Sequence, residues 1–202
     1  MYRSRLPRLL LPLLMAVMGA LLVSGFCSGA EFSADMVQKV FKQTYKGKLY
    51  VKGSKIRREA TLPGVRTDIV IFRADKKSIW YVMPKSKSYM KVTDRVIIGG
   101  DDPVATARMK RIGVMKKLGK EKINGYVCSK VQWTTKGPAK YVLTEWTSDK
   151  LIMPLRIEFK SSRGIVLIEY KNIKEGGVPD SVFELPKGYK RAKTPTAPKP
   201  GT

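Results

Sequence analysis

The sequence predicts a mainly β domain with two helices, an α+β chain dominated by antiparallel hairpins. Three observations carry that reading. Short runs rich in Val, Ile, Tyr, Phe and Trp recur through most of the chain. Connectors of turn length, rich in Gly, Pro, Ser, Asp and Lys, separate them. Two stretches depart from this and place apolar residues three and four apart, as a helix does.

The first of these stretches is residues 31–44. Ser33 is a candidate N-cap, and Met36, Val37, Val40 and Phe41 fall on a helical spacing. The period then changes. Residues 48–52, 55–60, 68–73, 78–83 and 88–92 read as strands. Gly53-Ser54, Leu62-Pro63-Gly64, residues 74–77 and residues 84–87 separate them, so consecutive hairpins in a meander are expected.

Residues 101–118 break the meander. Asp102-Pro103 is a helix start with Pro at the first helical position. Val104, Ala107, Met109, Ile112, Met115 and Leu118 recur every third or fourth residue, and Arg108, Lys110, Arg111, Lys116 and Lys117 fill the spaces. This is the pattern of a basic amphipathic helix, interrupted by Gly113 and capped by Gly119. Strands are expected again at 125–134, 140–146, 155–159 and 165–172. Residues 68–72 and 165–168 are apolar on both parities, so both of their faces should be covered. Pro179, Asp180 and Ser181 start a short turn that drops Val182, Phe183 and Leu185 onto the sheet.

The two ends read differently. Arg3, Arg5 and Arg8 precede an apolar run from Leu9 to Val23, and Ser28-Gly29-Ala30 supplies the small residues of a cleavage site. That order is a secretory signal, cleaved after Ala30. The run is short for a span of about 20 residues, and no stop-transfer charges follow it. Lipidation at Cys27 is the alternative, although Phe26 sits where such a site wants a small residue. The expected organisation is a signal peptide over 1–30, one domain over 31–189 and a disordered basic, Pro-rich tail over 190–202.

Composition narrows the function. Forty Lys and Arg against sixteen Asp and Glu give +24, a field that favours anionic partners such as lipid head groups, an anionic membrane surface or an acidic envelope protein. A solvated basic surface without a dedicated partner fits the same numbers. Export argues against nucleic acid. The chain has no histidine, so Ser-His-Asp and Cys-His sites are excluded and no zinc-type cluster can be drawn. No catalytic residue, metal or cofactor is expected, and the chain reads as a non-enzyme. With Cys27 removed, Cys128 stands alone on the parity of Tyr126 and reads as a small buried apolar residue, unreactive in the folded state.

Several phrases, taken in order, resemble a known family. They are residues 47–57 (Gly-Lys-Leu-Tyr-Val-Lys-Gly-Ser-Lys-Ile-Arg), 72–84, 87–91, 118–128, 154–158, 169–173 and 179–189 (Pro-Asp-Ser-Val-Phe-Glu-Leu-Pro-Lys-Gly-Tyr). The set is similar to the LolA-like superfamily of secreted bacterial envelope proteins, which includes the outer-membrane lipoprotein carrier. The resemblance implies an incomplete antiparallel β-barrel with helices covering the concave side, over an apolar cavity. It implies a periplasmic carrier for a lipid or the acyl chains of a lipoprotein.

On that reading Trp80, Met83, Met90, Met109, Ile112, Met115, Trp133 and Trp146 are the candidate cavity lining, or else the members of a filled core. Arg108, Lys110, Arg111, Lys116 and Lys117 are the candidate contacts to an anionic head group, or else a solvated helix face. The helix over 102–118 would be the lid. The alternative function is a basic envelope interaction or sensor module that docks an acidic protein or polymer, with the barrel as scaffold.

Overall fold

A computed structural model describes residues 29–61, 68–93, 113–136 and 141–192. Its strands are β1 (Glu31–Val40), β2 (Gln43–Lys52), β3 (Lys55–Thr61), β4 (Asp68–Arg73), β5 (Ser78–Met83) and β6 (Ser88–Thr93), followed by β7 (Val114–Ile123), β8 (Tyr126–Thr134), β9 (Val142–Ser148), β10 (Pro154–Ser161), β11 (Gly164–Glu175) and β12 (Lys190–Arg191). They form one open sheet in the order β12-β6-β5-β4-β3-β2-β1-β11-β10-β9-β8-β7. Every pairing is antiparallel except the short one between β12 and β6. The mainly β, antiparallel, unclosed architecture is the expected one.

The expected helix over 31–44 is instead β1 and the start of β2. Burial along β1 alternates, with Phe32, Ala34, Met36, Gln38 and Val40 inward. The inward Gln38 is what hides the period of two, since it breaks the apolar alternation that identifies a half-buried strand. The second expected helix also fails over its last part. Residues 114–118 belong to β7, and Gly119 is not a helix cap but the bulge of that strand, at φ +91°. The rest of that stretch lies outside the described residues, which contain no α-helix.

The described connectors of the meander β2 to β6 are turns as expected, while Leu62-Pro63-Gly64 lies outside the described residues. The turns 74–77 and 84–87 use one device twice: a 3-10 turn closed by a lysine in the left-handed region, Lys77 and Lys87, whose N–H donates three residues back. Toward the other end of the sheet, the tip of the β7–β8 hairpin meets β11. Asn124 Nδ2 donates to the Tyr170 carbonyl at 2.7 Å, and Tyr126 Oη to Glu175 at 2.8 Å.

Each face of the sheet has its own apolar cluster. The larger spreads over one face from β5 through β1 to β8 and includes Phe32, Met36, Leu49, Val70, Ile157 and Ile168. The smaller lies on the other face, where Ile71, Trp80 and Val82 pack under Val178, Val182, Phe183 and Leu185. The turn expected at Pro179 therefore does deliver these residues to the sheet. The smaller cluster is sealed by cations of the sheet that hold the C-terminal segment: Arg57 Nη1 donates to Val182 O at 2.9 Å and Arg73 Nη1 to Phe183 O at 3.2 Å, while Lys52 and Lys55 pair with Asp180. Lys190 and Arg191, expected in a disordered tail, pair with Ser88 and Tyr89 of β6. The Lys190 amide donates to the Lys87 carbonyl at 3.0 Å and the Ala192 amide to the Tyr89 carbonyl at 2.8 Å.

Candidate ligand-binding face

Strand alternation and register decide what the larger face presents. One cross-strand row runs Ala34, Leu49, Arg58, Val70, Tyr81, Met90, from β1 to β6. On the other side of β1, a second row runs Gln38, Ile168, Ile157, Glu145, Val131, Lys117, and a third runs Val40, Val166, Phe159, Leu143, Trp133, Met115. This inner face is apolar apart from a few polar side chains set deep within it.

The central floor of the face is low. Met36, Gly47 and Ala60 pair across β1, β2 and β3. A Cβ on Gly47 would fall 2.0 Å from Glu59 O and 2.8 Å from Met36 Cε, so the Met36 side chain occupies room that only glycine leaves. Beside this floor stand Arg58, 1% exposed, and Tyr170 and Gln38, both fully buried. Tyr170 pairs with Met36 and Gln38 with Ile168, which makes Tyr170 and Gln38 diagonal neighbours.

Burial pulls the Arg58 guanidinium below its ordinary pKa, with Tyr170 and Tyr81 opposing the shift. It pushes the Tyr170 hydroxyl up, against the effect of Arg58. Among the described residues, no hydrogen-bond acceptor of good geometry meets Arg58 Nε, Nη1 or Nη2, and neither amide atom of Gln38 nor the Tyr170 hydroxyl has a well-aligned partner. Buried polar groups are nearly always satisfied, so three such residues on one patch mark it as unusual.

The expected site residues fall into three groups. Met83, Met90, Trp133 and Met115 share the inner-face parity, although Met115 is 55% exposed on the edge strand β7. Trp80 and Trp146 point the other way. Trp80 belongs to the cluster under the C-terminal segment. Trp146 sits between Lys130 and Arg156, 4.8 and 5.0 Å from its ring, and donates from Nε1 to Glu121 at 2.7 Å. That hydrogen bond and the one from Lys130 hold the Glu121 carboxyl below its usual pKa. Trp80 is thus used up under the C-terminal segment, while Trp146 is buried with the larger cluster and held by Glu121. Met109, Ile112, Arg108, Lys110 and Arg111 lie outside the described residues. Lys116 and Lys117 are exposed on β7 rather than on a helix, and point to opposite faces of it.

Sequence reasoning passed over Arg58, Gln38 and Tyr170. A signal for Arg58 existed: Ile56 and Ala60 are both inward, so the parity of Ile56-Arg57-Arg58-Glu59-Ala60 forces Arg58 inward as well. Cys128 is fully buried, with its thiol pushed up to about 11 by burial.

Solved structures share this architecture. An uncharacterized conserved protein from Thermus thermophilus matches at TM-score 0.55 and 12% identity, over 91% of this chain and 98% of that one. A chain of the Pseudomonas aeruginosa MucA/MucB complex matches at TM-score 0.52 and 10% identity, over 85% of this chain but only 59% of that one. A LolA superfamily protein from Nitrosomonas europaea is also among them, at TM-score 0.41 and 13% identity over 86% of this chain and 97% of that one. The likeness in fold stands on the first two. No curated protein matches. The profile of a domain of unknown function, DUF4412, matches residues 33–153, from β1 to the turn before β10, and the chain belongs to that family.

Proposed function

We propose that this chain is an exported binding protein that holds a lipid, or the acyl chains of a lipoprotein, against the inner face of its open sheet. The observation that supports this most is the face itself: apolar rows on both sides of β1, in a sheet that leaves two edges unjoined. The physical chemistry is sufficient without catalysis. Each buried methylene contributes about 0.8 kcal/mol, so one long acyl chain supplies on the order of 10 kcal/mol before ordering costs. Met83, Met90, Met115 and Trp133 share the parity of this face, and methionine adapts to flexible chains. No enzymatic step is part of this reading.

Native mass spectrometry of the protein purified from its own envelope tests it. A co-purified lipid, retained at high salt, is the expected result. A protein that carries no lipid and takes up no fluorescent fatty acid overturns it.

One observation favours a second reading, a basic module that docks an acidic partner. Strand β7 is an edge, exposed from Val114 to Lys122, and carries Lys116, Lys117, Lys120 and Lys122 beside Val114, Met115 and Leu118. Its binding would fade as salt screens the charges, whereas apolar capture would persist. MucB has been solved in complex with MucA, which gives this fold a precedent for a protein partner. Export itself is tested at the N-terminus: mature protein should begin at Glu31, and an acylated Cys27 or an intact Met1 would overturn the cleavage.

A further inference from the structure

Arg58 is a buried cation with no carboxylate partner among the described residues. It is 1% exposed, in the middle of an apolar row between Leu49 and Val70. Arginine keeps its proton in proteins, so burial leaves it a cation that needs an anion. Among the described residues, the groups that act on its charge are the two phenols, Tyr170 by its field and a side-chain hydrogen bond and Tyr81 by its field alone, and no carboxylate is among them. Its three guanidinium nitrogens have no acceptor of good geometry among the described residues. Tyr170 Oη and Gln38 Nε2 add further donors without well-aligned acceptors on the same patch. A planar fork of donors, helped by a hydroxyl and an amide and surrounded by Leu49, Val70 and Ile168, is complementary to an oxyanion attached to an alkyl chain.

We infer that the ligand of the inner face is an anionic amphiphile whose carboxylate or phosphate is received inside the sheet by Arg58, with Tyr170 and Gln38 as supporting donors. The inference rests on the carrier reading and adds to it the chemistry of the ligand's polar end and its position. The head group goes in with the chain instead of staying in water at the rim. Specificity then follows from unpaired donors: a ligand without an acceptor there leaves Arg58 unsatisfied, and buried polar groups discriminate steeply on that basis.

The test compares palmitate, hexadecyl phosphate and hexadecanol, which share one alkyl chain, in direct binding to the full chain. Acetate and inorganic phosphate serve as chain-free controls. Wild type should bind at least one of the two anions on the order of tenfold to a hundredfold more tightly than the alcohol, the worth of a charge-assisted hydrogen bond. Whichever anion leads identifies the head-group class, and the chain-free anions should not compete at equal concentration. Arg58→Met, with its β-sheet circular dichroism checked, should abolish the preference while the alcohol still binds. Arg58→Lys, which keeps charge but loses the fork, should fall between. Equal binding of alcohol and anions by wild type, or a preference that survives Arg58→Met, overturns the inference while the carrier reading stands. Loss of the alcohol together with the anions in a folded Arg58→Met makes Arg58 purely structural and also overturns it. If wild type binds none of the three alkyl compounds, the carrier reading itself fails. The wild-type comparison needs no variant, so a misfolded mutant leaves the inference open to refutation.

Discussion

Arg58 and Arg73 lie on neighbouring strands, are both almost inaccessible, and face opposite sides of the same sheet. Their surroundings differ completely. Arg73 donates to Asp75 at 2.7 Å, to Glu184 and to the Phe183 carbonyl, and stacks over Trp80 at 5.7 Å. Its proton is held even more firmly than usual, chiefly by the hydrogen bond to Asp75. Arg58 has burial without well-aligned acceptors, and burial works against its charge. A buried cation with every donor engaged is a fastening. One without a carboxylate or a well-aligned acceptor costs stability, and such groups concentrate where a protein binds something. The outer face of β3 to β5 is thus finished by the chain's own C-terminal segment, and among the described residues nothing does the same for Arg58 on the inner face.

The largest effect should come from unfastening the finished side. Phe183 is fully buried against Ile71 and Trp80, so Phe183→Ala should cost about 3–5 kcal/mol. Denaturant unfolding followed by tryptophan emission checks this; a loss under about 1 kcal/mol would mean that the segment merely rests on the sheet.

Arg73→Met should cost less, about 1–3 kcal/mol. The carboxylates it abandons, Asp75 and Glu184, are 38% and 51% exposed and can return to water. Emission from Trp80 should change before global unfolding in this variant. Unchanged emission at an unchanged midpoint would remove the fastening role.

Acid should act on the same clasp more weakly. Asp75 is held below its ordinary pKa, first by the Arg73 hydrogen bond. For Glu184 burial alone would raise the value, but hydrogen bonds from Arg73 and Lys76 bring it below normal. Carboxyls with lowered folded values stabilise above their unfolded pKa, and that stability drains away as pH falls through the folded value. The loss should therefore begin below about pH 4. It should be smaller in Arg73→Met, which a pH series of melting temperatures would show. An identical acid profile in both proteins would sink the assignment.

The smallest stability change, within about 1 kcal/mol of zero or in the stabilising direction, is expected for Arg58→Met, because a buried ion replaced by an apolar side chain of similar size is often neutral or better. A loss as large as that for Arg73→Met would erase the contrast between the two faces.

Much of the sheet was legible beforehand. Strands β4 and β5 were read to the residue, because Asp68, Ile69, Val70, Ile71, Phe72 and Arg73 are bounded by clear turn formers or by a change of composition. The C-terminal turn was legible because Pro179 and Asp180 announce it and Val182, Phe183 and Leu185 follow as an apolar group. The expected helix over 31–44 and the last part of the one over 101–118 misled for one reason. A strand with a polar residue at an inward position, or an edge strand open to water on both faces, no longer alternates, and chance spacings of three and four then dominate. Gln38 did this in β1, and the lysines of β7 did it on the edge.

The candidate site was legible only as a class of residue. Strand parity puts Met83, Met90, Met115 and Trp133 on the inner face and Trp80 under the C-terminal segment, a distinction the sequence does not carry because a tryptophan reads as equally buried on either face. Arg58 was passed over because arginine in an isolated strand is ordinarily a solvated residue, although the parity of Ile56 and Ala60 pointed it inward.

By itself, the sequence determined the antiparallel hairpins, their turns, the lone buried cysteine and the absence of histidine chemistry, since these depend on neighbours within a few residues. Tertiary structure alone decided which side of the sheet each tryptophan serves, that β1 joins the two halves by pairing with both β2 and β11, and that one arginine is fastened while the other is left without a well-aligned acceptor. Those outcomes depend on register and on what lies across the sheet, and a shift of one residue in either would reverse them.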